Sequence, residues 1–508
     1  MPQPKTQASV TPMPSETSPS ATALSRAMPA DTASPRTAMI ALFIRLHFYI
    51  GIFVGPFIFI AALTGTLYVL TPQIENRIYA DQLFTQNHGV PYSLANQIAA
   101  AQAALGHHHK ARLIAIRPAP TQGETTRVMF ASSELGPSES RAIFIDPATL
   151  EIRGDETVYG TSGILPFRIW LDYLHRGLLL GDIGRNYSEL AASWLWVAAL
   201  GGVLIWWVTR RSAIPDRQRN KKVSRTSAAQ KRRLRHWHTS LGLCLMVGLL
   251  FFSATGLTWS QWAGSNIAVV RNLLGWQTPT VKTQIINGPM AGSIHTHVTE
   301  HMAADIHAEH HSPMPMSHSV DNRPEMFDQV LAVARNAGID AKKIEIKPAG
   351  SPVQAWTVTE IDRAWPTQVD AVSVNPSTLE IVDKTDFTTF PLAAKLTRWG
   401  VDAHMGVLFG LPNQLLLAVF GLGLCTTIVW GYRMWWIRRP RHNGANNPVK
   451  TLTSALLQVR LFPRMLLIVT TGLLAICLPL MGVSLLLFML IDVTRWHLNR
   501  MVAPVALT

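Results

Sequence analysis

Two fragments of the chain share one pattern. Leu174-His175-Arg176-Gly177 runs on to Leu179 and Gly181, and Ala403-His404-Met405-Gly406 runs on to Leu408 and Gly410. Each reads His-x-Gly-x-Leu-x-Gly. Each has a tryptophan five residues before its histidine (Trp170, Trp399), and each is followed by a tryptophan pair, Trp206–Trp207 and Trp435–Trp436. Two further histidines make a second matched set. His47 and His238 have a glycine four residues on, Gly51 and Gly242, and a Thr-Gly pair seventeen and eighteen residues on, Thr64–Gly65 and Thr255–Gly256. Two opposed imidazoles can take the iron of a b-type haem from both sides, with the flat ring slotted between helices. Gly51 and Gly242 would share a helical face with their histidines and leave space for such a ring. His236 is the alternative to His238. Two apart on a helix, they point about 200° apart, and it is His238 that aligns with His47, whereas His236 aligns with Arg45. A single histidine at a membrane boundary reads equally as an interfacial residue, and the tryptophans as an aromatic belt. Four histidines at matching positions favour function, because ionisable groups inside a bilayer are costly.

The elements that would position them are apolar. Of 508 residues 48% are hydrophobic and 15% charged, too apolar a balance for a soluble enzyme of this size. The runs Phe48–Leu70, Leu190–Val208, Leu241–Trp259, Leu415–Trp430 and Met465–Ile491 each approach or exceed the roughly 20 residues that cross a bilayer. They predict five transmembrane helices. The last contains Pro479 and is long enough for a kinked or re-entrant path. The net charge of +14 is unevenly spread: residues 210–235 hold eleven Lys/Arg and one acid, and residues 438–464 hold six and none. Short basic loops between apolar runs belong in the cytoplasm, so the excess is a topology signal and not a nucleic-acid footprint. The longer stretches 71–189 and 260–400 are mildly acidic and fall on the far side. His47 and His238 then lie at the inner depth, His175 and His404 near the outer face. Cys244, Cys425 and Cys477 all sit in apolar runs and offer neither a disulfide framework nor a Cys-x-x-Cys-His haem attachment.

The matched motifs extend to whole segments. The stretch 145–152 (IDPATLEI) falls on 374–381 (VNPSTLEI), at the same offset of 229 as the outer histidines. The chain reads as two copies of one unit: helix, extramembrane domain, helix. The expected order is a disordered cytoplasmic tail (1–37), helix 1 (38–70), an α+β domain (71–165), the outer histidine segment with helix 2 (166–209), a basic loop (210–235), helix 3 (236–262), a second α+β domain (263–390), the second histidine segment with helix 4 (391–437), a basic loop (438–463), helix 5 (464–492) and a tail (493–508). In each α+β domain a short helix, Leu94–Leu105 or Met326–Ala337, precedes three strand-like runs. The fold class is an internally duplicated α-helical membrane protein carrying two small α+β domains. Repeat-related helices with histidines at two depths suggest a pseudo-twofold axis along the membrane normal. The arginines Arg45 and Arg235 inside, and Arg168, Arg176 and Arg398 outside, are candidates to pair with haem propionates.

The second copy carries an insertion, about 292–320, with His295, His297, His301, His307, His310, His311 and His318. Imidazole beside Met302, Met314 and Met316 suits copper, and imidazole also suits iron, zinc or nickel. The segment reads either as a site for iron or copper or as a solvated linker of biased composition. The shorter tract His107–His109 reads as surface.

The stretches LHFYIGIFVGPFIFIAALTGTLYVL, LHRGLLLG, HTSLGLCLMVGLLFFSATGLTW and DAHMGVLFG, around domains with Asp/Asn-Pro-x-Thr-Leu-Glu-Ile, resemble the PepSY-associated transmembrane proteins of bacteria, iron-regulated inner-membrane proteins that include ferric siderophore reductases. The resemblance covers about residues 40–440. It implies a periplasmic PepSY domain in each half and two b-type haems, with His47, His175, His238 and His404 at the positions of the family's motif histidines. It also implies electron transfer across the inner membrane to a ferric siderophore or other metal chelate, from a donor the sequence does not identify. The expected activity is that of a transmembrane metalloreductase with no acid–base residue. The alternatives are a copper-handling or cupric-reductase role built on the insertion, and a non-redox regulatory role.

Overall fold

The computed structural model describes residues 35–106, 111–211, 225–285, 323–438 and 451–502. His107–His109 and the seven histidines 295–318 lie outside the described residues.

The first half opens with α1 (Pro35–Tyr49), which passes through one π-helical turn at Ile50–Val54 into α2 (Gly55–Val69). Two short helices, α3 (Thr71–Ile78) and α4 (Ala80–Leu83), lead to α5 (Leu94–Ala104). Strands β1 (Leu113–Arg117), β2 (Thr126–Phe130), β3 (Glu139–Ile145) and β4 (Ile152–Tyr159) follow. The chain then enters α6 (Pro166–Gly177) and the long α7 (Gly181–Arg211). The second half runs through α8 (Arg225–Thr258), α9 (Trp262–Leu273) and α10 (Glu325–Asn336), then β5 (Ile344–Lys347), β6 (Trp356–Glu360), β7 (Ala371–Val374) and β8 (Ile381–Thr385). It closes with α11 (Leu392–His404) and α12 (Leu411–Arg438). Three helices remain: α13 (Leu452–Gln458), α14 (Leu461–Cys477) and α15 (Pro479–Val502).

Among the described residues five helices are long and apolar enough to cross a membrane: Ala38–Val69, Gly181–Arg210, Ala229–Thr258, Leu411–Ile437 and Pro479–Leu498. The last apolar run, expected over 464–492 with room for a kink at Pro479, breaks there into two helices. Pro479 lacks the N–H that would continue α14, and Leu478 before it leaves helical geometry (φ −123°, ψ 79°). The arms return on each other. Asn266, on the helix that follows α8, donates to the carbonyls of Ile476 and Cys477 at the turn. At the opposite end Asp492 of α15 accepts from Tyr49 Oη (2.7 Å) and from the backbone N–H groups of Leu452 and Thr453. The basic loop expected at 438–463 therefore contains α13, which that carboxylate ties down.

The eight strands form one antiparallel sheet in the order β4-β3-β2-β1-β5-β6-β7-β8. This order is a palindrome about the β1–β5 seam, where Ile116 faces Ile346. Two separate α+β domains were expected; the two sets of strands instead share a sheet and a core. Ile98 of α5 and Phe327 of α10 are fully buried with Ile116, Val128, Ile346 and Trp356 in one cluster. Asp328 of α10 accepts from the N–H groups of Leu94 and Ala95 at 2.8 and 3.1 Å, so one half caps the helix of the other. The opposite face of the sheet, with Ala115, Met129 and Phe144, packs toward α4 and Leu165 above the bundle.

Small residues let the spanning helices approach. A Cβ on Gly421 of α12 would stand 2.0 Å from Thr66 Oγ1 and 3.2 Å from the carbonyl oxygen of Ala62. Without a hydrophobic drive between helices in lipid, such close packing supplies much of their association. Gly421→Ala is expected to cost about 1–3 kcal/mol through overpacking, read as a lower unfolding temperature of the purified protein in detergent.

Candidate functional site: two histidine pairs

The four histidines fall into two groups at opposite ends of the bundle. At the end away from the sheet, the rings of His47 on α1 and His238 on α8 stand 6.5 Å apart, with their planes at 81°. His238 Nδ1 lies 2.9 Å from the Thr427 carbonyl. His47 Nδ1 is buried beside the Ala198 carbonyl without closing a hydrogen bond of normal geometry.

At the sheet end, His175 and His404 line one cavity of about 220 Å³ between the helices. The motif glycines explain how they reach it. Gly181 and Gly410 both adopt φ +60°, a left-handed turn that glycine adopts without a Cβ penalty. Each ends the reversal from a short histidine-bearing helix, α6 or α11, into a spanning one. Both rings are held alike. Thr64 Oγ1 is 3.0 Å from His175 Nδ1, and Thr255 Oγ1 is 2.7 Å from His404 Nδ1. Each threonine hydroxyl donates to the carbonyl four residues back, Ile60 or Phe251. Its oxygen is thus left to accept from the imidazole, which fixes the tautomer and leaves Nε2 with a free lone pair. The seventeen-residue spacing from His47 to Thr64 and from His238 to Thr255 therefore links the two ends of the bundle.

The glycines beside the rings differ from those the spacing suggests. Gly51 and Gly242 have no atom within 4 Å of where a Cβ would sit. Gly51 lies in the π-helical turn and is exposed, and Gly242 lies in the regular helix α8 with equally open surroundings. The glycines in contact are Gly201 and Gly202 at His47, Gly431 at His238 and Gly65 at His175.

The five arginines also divide. Arg176 lines the cavity, donates to Tyr159 Oη at 2.7 Å and lies over the Tyr159 and Tyr173 rings. Arg168 is buried behind the cavity wall, over the Tyr68 ring and 3.8 Å from Glu75. Arg398 is paired with Asp402 at 3.1 Å. Arg45 donates to the Thr451 carbonyl and to Ser454 and so anchors α13. Arg235 is exposed.

One group escaped the sequence reading. Asp402, two residues before His404, is fully buried. It takes Arg363 Nε at 2.6 Å on one oxygen and Arg398 on the other. Arg363, from the β6–β7 loop, also donates to Ser162 Oγ at 2.5 Å and to Met405 Sδ. The guanidinium thus joins the sheet to the helix that carries His404.

The cavity walls include Ala61, Ala62, Gly65, Gly256 and Gly421, small residues that leave a slot between helices. At the sheet end, paired imidazoles with anchored Nδ1 atoms, an apolar slot and one cation at its edge form a donor set that could hold a flat metal macrocycle; at the other end the donor set is the His47–His238 pair alone. Among the described residues no cluster of three or more His, Cys, Asp or Glu could hold a bare metal ion.

Paired histidines in a helical bundle, capped by one antiparallel sheet, define a multi-pass membrane protein with an extramembrane sheet domain. The family model of the PepSY-associated TM region matches residues 44–438, and the chain belongs to that family. No curated protein matches the chain.

Proposed function

We propose that the chain is a haem-bearing reductase of the inner membrane, which delivers electrons to a ferric chelate, such as a siderophore complex, on the periplasmic side where the sheet lies. The observation that carries this reading is the matched anchoring of His175 by Thr64 and of His404 by Thr255 across one cavity. When bound, a b-type haem supplies a reversible one-electron iron couple. His47 with His238, and His175 with His404, would hold the two groups. The threonines orient the imidazoles and raise their basicity. Arg176 offers its charge to an anionic edge, and the small residues of the slot leave room for a flat ring. Reduction of the chelated iron weakens its hold on hard oxygen ligands, so no proton donor is needed to release it.

The purified full chain, made with ample haem, is expected to show a reducible haem spectrum with about two haems per chain. Alanine at any one of the four histidines is expected to remove about one of them. A colourless chain would end the proposal. A subtler change separates the two sites: a Cβ on Gly65 would sit 3.0 Å from His175 Cε1. Gly65→Ala is expected to shift the spectrum and midpoint potential of the sheet-end site only, leaving the His47–His238 site as it was.

A second reading, capture or reduction of copper, rests on the seven histidines of the insertion. Deleting residues 292–320 tests it: lost metal selectivity with haem retained would assign the insertion to metal capture.

A further inference from the structure

The loop between β6 and β7 carries Trp365, whose side chain is 56% exposed. Its ring lies 5.9 Å from Phe409, which is equally exposed, and 5.8 Å from Trp399. The Trp365 N–H donates to the Leu408 carbonyl at 2.6 Å, so the loop is pinned to the segment just before α12. Leu392 and Leu396, one turn apart on α11, are also exposed. An apolar patch on an extramembrane domain asks for an occupant.

The neighbouring span says which. Leu411, Leu415, Val419 and Leu422 fall on one face of α12 at helical spacing, and all are more than half exposed. That face belongs to a helix apolar enough to cross the bilayer, so lipid covers it. The stripe begins at Trp365 and Phe409 and continues down α12 without a polar break. Tryptophan at the end of such a stripe matches the headgroup boundary, with its ring in the apolar region and its N–H at the wet edge. The corresponding loop of the first half, between β2 and β3, reads Ala-Ser-Ser-Glu-Leu-Gly-Pro-Ser over 131–138 and offers no aromatic residue.

We infer that the β6–β7 loop is a lipid anchor: Trp365 and Phe409 insert into the headgroup layer and tether the second half of the sheet to the bilayer, a contact for which the β2–β3 loop of the first half has no aromatic residue. Arg363, two residues before Trp365, holds Asp402 beside His404, so the anchor is joined to the sheet-end histidines by two side chains. The inference stands whether or not haem is bound.

The test places a bimane fluorophore at Trp365→Cys in the full chain with Cys244, Cys425 and Cys477 replaced by alanine, one chain per phosphatidylcholine nanodisc. A matched probe at Ser133→Cys reports the first-half loop. Lipid carrying a shallow nitroxide is expected to quench the probe at position 365 roughly threefold more than the probe at 133, with aqueous iodide showing the reverse order. Equal iodide quenching at both positions without lipid quenching would mean that the patch faces water or a soluble ligand, and would overturn the inference. Shielding that appears only in discs holding two chains would assign the patch to a second copy, and would overturn it as well. Should the variant at 365 fail to fold, Phe409→Cys reads the same patch.

Discussion

Asp402→Ala is expected to be among the most damaging single substitutions in the chain. The carboxylate is fully buried, and it is the shared partner of Arg363 and Arg398, at 2.5 and 3.1 Å. Removing one member of a buried ion pair costs about 3–5 kcal/mol, because the opposing charge stays behind without compensation. Here Arg363, whose side chain is 7% exposed, loses its only counter-charge and keeps only Ser162 and Met405 as partners. The expected result is a much lower unfolding temperature in detergent, together with disturbance at His404. Asp402→Asn keeps an acceptor without the charge and should fall between the two. Combining Asp402→Leu with Arg363→Met removes both charges and is expected to recover part of the loss. An unfolding temperature unchanged in Asp402→Ala would show that the triad contributes nothing net.

The second large effect lies at the seam of the sheet. Glu345 of β5 accepts from Arg117 of β1 through Nε at 2.8 Å and Nη2 at 2.6 Å, and Lys347 reaches its other oxygen at 2.8 Å. Burial on its own would push this carboxyl up. The charges of Arg117 and Lys347, with their hydrogen bonds, outweigh it and bring the group down to about 2, from an ordinary 4.5. A carboxyl lowered on folding contributes stability that is complete above 4.5 and is lost as the pH falls from 4.5 through 2. Glu345→Gln is expected to cost about 3–5 kcal/mol at neutral pH. It should also flatten the dependence of stability on pH between 4.5 and 2. Hydrogen exchange of the β1 and β5 amides would report both effects. A variant that keeps the wild-type slope in that window would show that another group carries it.

Much of the candidate site was legible in the sequence. The histidine sets were marked by repetition, and the spacing from His47 to Thr64 carried the threonine to the opposite end, where it meets His175. Other features were not, for physical reasons. Strands β4 and β8 were missed because they are edge strands: Ile152–Tyr159 and Ile381–Thr385 are only partly covered and carry many polar residues, so they lack the alternation that burial imposes. The π-helical turn at Ile50–Val54 left no mark, since periodicity assumes 3.6 residues per turn. The contact of Arg45 with the Thr451 carbonyl was also hidden, because only the fold brings α13 beside α1. Asp402 did leave a trace, as an acid four residues after Arg398 on a helix. Arg363 left none, since only the folded sheet brings its loop to α11.

The seam between β1 and β5 has a further consequence. Carriers built from repeated halves commonly work by rocking one half against the other, opening to each side in turn. In this chain the halves share a hydrogen-bonded strand pair, a buried ion pair and one hydrophobic core. A large swing between them would have to pull that joint apart. The joint therefore holds the two sets of strands in one fixed relation, and any motion of this chain has to leave that relation intact.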